Sequence, residues 1–290
     1  KMSYRKEKIH SLTGINLNIV SESELKKLCN KFLKNGIHGL CFSAYDEGQE
    51  PGDNISDKQI LRKLNIIKPY IKWIRTFSCT EGNERIPVLA KELGLKTLVG
   101  AWLSDNKLTN EKEINGLISL CKSGHVDVAG VGNEVLYRKE MSESELIDYI
   151  NLVKKEIGDI PAGYVDAYYE FSARPNLADS CDVILANCYP YWEGCSLEYS
   201  LMYMKQMYFE ANSAGKGKKV IITERSTETD KNIFAKMLHD EGSINDLEFK
   251  IYNYWYDNIM KSNKINNIIY LRTTPKDAYK RIDGRGRQEE

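Results

Sequence analysis

Paired cysteines are missing from this sequence. Its seven Cys, at 29, 41, 79, 121, 181, 188 and 195, are odd in number and form no CxxC. That speaks against a disulfide framework or a zinc site and for the reduced thiols of a cytoplasmic protein. Cys41, Cys79 and Cys188 fall inside apolar runs and read as small core residues. Histidine is scarce: His10, His38, His125 and His239 stand far apart in unlike contexts. A His cluster has no support, and no metal or organic cofactor is expected. Net charge is absent too, with 41 basic residues against 41 acidic ones, so no global field favours nucleic acid or an anionic membrane as partner. Neither a signal peptide's apolar centre nor a membrane-length run occurs, although the Lys-Met start leaves room for a processed or longer N-terminus. Finally, no G-x-x-x-x-G-K-[ST] phosphate loop is present. Gly215-Lys216-Gly217-Lys218-Lys219 has the wrong spacing and reads as a basic turn.

What the chain does have is tyrosine, eighteen against seven Phe, a bias that suits surfaces touching something flat and polar as well as the rims of ordinary cores. It also has regular alternation. GIHGLCFSAY (36–45), KWIRTFSC (72–79), KTLVGAWL (96–103), VDVAGVGNEV (126–135), AGYVDAYYEF (162–171), CDVILANCYPYW (181–192), KVIITE (219–224) and NNIIYLRT (266–273) are eight strand candidates. Between them SDKQILRKLNIIKPY, NERIPVLAKELG, NEKEINGLISLCKSG and SESELIDYINLVKKEIG carry apolar residues at helical spacing. Ser142 with Glu145 forms a capping box, and Gly94, Gly124 and Gly158 stand where helices close. Strict strand–helix alternation predicts a parallel α/β sheet. No Gly-rich loop follows the first strand; the polar DEGQEPGDN does. The expectation is therefore a (β/α)8 TIM barrel in one domain over 1–290, with its site at the C-terminal ends of the strands.

Those ends carry Tyr45, Cys79 with Glu81, Trp102, Asn133 with Glu134, Tyr169 with Glu170, the Tyr189-Pro190-Tyr191-Trp192 run and Glu224. Carboxylates and aromatics would ring one mouth, which suits a carbohydrate: aromatic rings cover the C–H faces of a sugar, and two carboxyl groups flank a glycosidic bond during cleavage. Either Glu alone also reads as a solvated loop residue or a helix N-terminal anion. The Asn133-Glu134 pair and the spacing of three strands to Glu224 favour the catalytic reading.

GLCFSAYDEGQEPGD, IRTFSCTEGNE, GLKTLVGAWL, VDVAGVGNEVLYR, VDAYYEF, CDVILANCYPYWEG and KKVIITE together resemble a bacterial protein of glycoside hydrolase family 17 over about residues 20–224. The resemblance implies a (β/α)8 barrel of retaining enzymes, chiefly acting on β-1,3-linked glucans by hydrolysis or glucosyl transfer. It further implies that Glu134 is the acid/base, Glu224 the nucleophile and Asn133 a ligand of the neighbouring sugar hydroxyl. Tyr189, Tyr191 and Trp192 would line the subsites, with Tyr45, Trp102 and Tyr169 as further substrate-binding candidates.

The family pattern breaks after Glu224. Thr-Gly-Trp-Pro is expected there, but Arg225-Ser226-Thr227-Glu228 follows. From about residue 218 to 290 the sequence resembles the C-terminal part of a deoxynucleoside kinase. In such a kinase Glu224 and Arg225 would lie near the nucleoside's sugar and the transferred phosphate, while Arg285 and Arg287 would grip ATP phosphates. The tail reads as strand, helices, strand, helix and could supply the last barrel units. Three functions follow: a β-glucan-active glycosidase, a glycan-binding barrel without turnover, and a nucleoside kinase fragment. The missing phosphate loop weighs against the last.

Overall fold

The computed structural model describes residues 36–46, 48–190, 193, 195 and 200–223. Seven parallel strands alternate with helices: β1 (Ile37–Cys41), α1 (Asp57–Ile67), a 3-10 turn (Lys68–Tyr70), β2 (Ile71–Arg75), α2 (Arg85–Glu92), β3 (Lys96–Ala101), α3 (Lys107–Lys122), β4 (Val128–Asn133), α4 (Glu143–Ile157), β5 (Ala162–Ala167), α5 (Tyr168–Ala173), α6 (Pro175–Ser180), β6 (Val183–Asn187), α7 (Ser200–Ala214) and β7 (Lys219–Ile222). The strands hydrogen-bond in sequence order, each parallel to its neighbours. This is the winding of a (β/α)8 TIM barrel, the expected fold. NNIIYLRT, the expected eighth strand, lies outside the described residues.

The sheet is curled. Leu98, Val128, Val165, Val183 and Leu185 form one buried cluster, with Trp73 of β2 and Ile221 of β7 packed against it. Six strands can share a cluster on one face only if that face is concave. Lys219 of β7 also lies close enough to His38 of β1 to help lower the imidazole pKa, after the larger effect of burial. Outside this wall, Ile74 and Phe42 meet Ile60, Leu64 and Leu89 from α1 and α2. Val99, Val131 and Tyr164 meet Leu117, Ile150 and Met207 from α3, α4 and α7.

The helix ends follow their chemistry. The Ser142 hydroxyl accepts from the Glu145 N–H at 3.3 Å, and Gly94, Gly124 and Gly158 all have left-handed φ, closing α2, α3 and α4. One expectation fails. AGYVDAYYEF is not a strand throughout: β5 stops at Ala167 and Tyr168–Ala173 is helical. Tyr168 and Phe171, three apart, are both buried, so this segment packs at helical rather than strand spacing. Tyr169 and Glu170 accordingly belong to α5 and not to a strand end.

Candidate active site

The site begins with an irregularity in β4. Gly130 pairs with Gly163 and Asn133 pairs with Val165, so three steps along β4 meet two along β5. The extra residue makes a β-bulge, and Gly132 within it has φ +83. An L side chain adopts such a backbone at a cost of about 1–2 kcal/mol, and a Cβ here would meet the Tyr164 ring at 3.3 Å. Bulges bend a strand and re-aim its following residues. Glu134 comes next, itself at φ +51, with its N–H donating to the Val165 carbonyl at 2.7 Å. A non-glycine residue held in this region is strained, and such strain collects at functional positions.

The Glu134 side chain is buried and tied to β6. Asn187 Nδ2 and the Tyr189 hydroxyl both donate to its Oε1 at 2.8 Å. Asn187 Oδ1 in turn accepts from the Thr223 hydroxyl at 2.5 Å, which fixes the amide's orientation. A hydrogen-bonded chain thus runs from the end of β7 through β6 to Glu134. Glu224 follows Thr223 in sequence and lies outside the described residues, as do Tyr191, Trp192, Arg225, Arg285 and Arg287.

Asn133 is held at both oxygens. Arg75, at the end of β2, donates from its Nη2 to Asn133 Oδ1 and lies 4.3 Å over the Phe77 ring. Because guanidinium can only donate, it pins the amide oxygen and turns the Asn133 NH2 the other way. Arg138 donates to the Asn133 carbonyl, to the Leu103 carbonyl at 2.8 Å and to Glu140 at 2.7 Å.

Behind the bulge lies a second carboxylate. Asp166 is fully buried; the Tyr164 hydroxyl donates to Oδ2 and the Ala167 N–H to Oδ1 at 2.7 Å. Burial pushes its pKa up to about 6, the donors oppose that, and the nearby Glu134 charge adds to it. Tyr164 also accepts from the Leu136 N–H at 3.0 Å, so β5 grips the turn that carries Glu134.

The aromatic candidates take different parts. Tyr45 is half-buried and its hydroxyl accepts from Asn83 at 2.9 Å. Trp102 has one ring face covered by the Arg138 guanidinium at 4.7 Å, and its backbone N–H donates to the buried Glu113 at 3.1 Å. Tyr169 is half-buried on α5; burial, then the charges of Tyr137, Asp166, Glu193 and Glu134, push its hydroxyl pKa up to about 12. Glu170 faces Arg174 in an ion pair. Glu81 is exposed, and the buried Cys79 donates to the Gly100 carbonyl at 3.3 Å. Among the described residues no group of His, Cys, Asp and Glu could hold a metal ion.

Several contributors were missed from sequence. Asn187 continues the inward alternation of Val183 and Leu185, a period-2 signal that could have found it. Glu113 accepts from Ser78, the Cys79 N–H, Thr80 and Trp102; it shares a helical stripe with Leu117 and Leu120, which marks it as buried. Arg75, Asp166 and the exposed Tyr137 carry no comparable local mark.

Known proteins match this chain in two groups. The glucan 1,3-beta-glucosidase of Saccharomyces cerevisiae is 27% identical over 153 residues, 47% of this chain and 49% of that one. The crystal structure of a glycoside hydrolase family 17 beta-1,3-glucanosyltransferase from Rhizomucor miehei superposes with a TM-score of 0.58 at 26% identity, covering 65% of this chain and 71% of that one. The probable deoxycytidine kinase of fowlpox virus is 48% identical over a short segment of 86 residues, 29% of this chain and 35% of that one. The chain spans about half or less of the length of these two curated relatives. The model of the BtgE/BtgC glycoside hydrolase domain matches residues 39–227, well over half of the sequence, and the chain belongs to that family.

Proposed function

We propose that this chain cleaves β-1,3-linked glucan with retention of configuration, by hydrolysis or by glucosyl transfer, using Glu134 as acid/base and Glu224 as nucleophile. The observation that carries this reading is the chain from Thr223 through Asn187 to Glu134. It ties the end of β7, where Glu224 follows, to a buried carboxyl just after β4.

In the first step a Glu224 oxygen attacks the anomeric carbon while the C–O bond to the leaving sugar breaks and Glu134 gives its proton to the departing oxygen. Asn187 and Tyr189 occupy Oε1 of Glu134 with two donors, so the transferable proton sits on Oε2. In the second step the Glu134 carboxylate takes a proton from water or from a sugar hydroxyl, whose oxygen displaces Glu224. Asn133, its oxygen pinned by Arg75, presents its NH2 as a donor to the hydroxyl beside the reacting carbon. Tyr45, Trp102, Tyr169, Tyr191 and Trp192 line the glycan path.

Glu134→Gln keeps the size and the acceptor oxygen but removes the proton. General acid–base catalysis contributes about 10²–10⁴-fold, so laminarin hydrolysis falls by about that factor while the fold persists; unchanged turnover would falsify the assignment. A second reading is favoured by Arg225-Ser226-Thr227 standing where Thr-Gly-Trp-Pro is expected: a barrel that binds glucan without cleaving it. Saturable laminaritriose binding with no product under any pH selects that reading. A nucleoside kinase lacks its phosphate cradle in this sequence, and calorimetry with ATP should register no binding.

A further inference from the structure

We propose that Asp166 is a positioning residue for Glu134, a carboxylate that clamps the Glu134 turn from behind the barrel wall and whose charge is coupled to that of Glu134. This rests on Glu134 being the proton donor, and it assigns work to a residue that does not touch the sugar. The geometry has two parts. Tyr164 accepts from the Leu136 N–H and donates to Asp166, while the backbone of Tyr137 gives Asp166 a further hydrogen bond. Asp166 and Tyr164 therefore hold two consecutive residues of the turn that begins at Glu134. That turn is also the one strained by Gly132 and Glu134 at left-handed φ, and it needs such a clamp to stay in place.

The second part is electrostatic. Asp166 is fully buried and titrates within the range in which an acid/base carboxyl must change state. The groups facing it are Glu134 from the turn after β4, Tyr164 from its own strand and Tyr169 from α5. Arg138, from the turn, adds a positive charge that lowers the pKa of Tyr164. Glu134 opposes the ionisation of Asp166. Asp166 therefore ionises more readily once the Glu134 charge is removed. No carboxylate-paired cation neutralises Asp166 among the described residues.

The test is a carboxyl 13C NMR titration of the whole chain labelled at Asp and Glu, with Asp166→Asn identifying the Asp166 signal. The Asp166 midpoint is expected near pH 6 in the unaltered chain, lower in Glu134→Gln, and higher in Tyr164→Phe, which removes a donor to the charged form. An equal midpoint in the unaltered chain and Glu134→Gln overturns the coupling. The pH dependence of kcat/KM on laminarin is the second readout. Asp166→Asn changes the shape of the profile around pH 6, where Asp166 ionises, whereas a purely structural residue lowers all rates and leaves the profile in place. If the chain cleaves no glucan, the functional reading fails and the NMR arm still decides the coupling. Should Asp166→Asn not fold, Tyr164→Phe and Glu134→Gln carry the comparison alone.

Discussion

Asn187 of β6 donates to Glu134, the residue after β4, at 2.8 Å while its own side-chain carbonyl accepts from Thr223. Hydrogen bonds to charged groups contribute about 1.5–3 kcal/mol. Asn187→Ala therefore lowers kcat/KM on laminarin by about one to two orders of magnitude, and Asn187→Asp, which sets a like charge against Glu134, lowers it further. Steady-state kinetics on the two variants, with circular dichroism to confirm the fold, checks the order.

Gly132 is the hinge of the bulge. Gly132→Ala places a methyl against the Tyr164 ring on a backbone that disfavours it, so unfolding free energy drops by about 1–2 kcal/mol. Urea titration measures this. Activity falls more than stability does, because the Glu134 turn moves.

Asp166 gives stability a pH signature. Its folded pKa, about 6, lies above the ordinary 3.8, so the folded state holds its proton more tightly than the unfolded chain does. The contribution is fully present below about pH 4 and is lost as pH rises through 6, a change of about 3 kcal/mol. Asp166→Asn flattens this part of the stability curve, and Tm against pH for the pair of proteins shows it.

The thiols differ sharply in access. Burial pushes Cys121 up to about 12 and raises Cys79 and Cys181 as well, whereas Cys41 is half-exposed. Thiolate is the reactive form. Among the described cysteines, Cys41 should react first with a disulfide reagent under native conditions, and peptide mapping of the labelled protein identifies it.

The strands and four helices were legible in sequence because each carries a plain period, 2 or 3.6, closed by Gly or opened by Ser. Tyr168–Ala173 was not: strand-favouring tyrosines follow a strand without a break, and only their packing as a helical turn separates them. The helix Ser200–Ala214 was also passed over, although Tyr203, Met207 and Ala211 are spaced four apart and buried. In the site, Asn133 and Glu134 stood out because two polar residues end an apolar run. Arg75 and Asp166 did not, since their roles exist only once strands β2, β4 and β5 lie side by side.

Whether Glu134 supplies the proton to the leaving sugar is decided by Glu134→Ala on two substrates. Laminarin needs that proton; a 2,4-dinitrophenyl β-glucoside, whose phenolate leaves unaided, does not. With Glu134 as the proton donor, the variant loses about 10²–10⁴-fold on laminarin and keeps its first-step rate on the aryl glucoside. Equal losses on both substrates, or none on either, would contradict it.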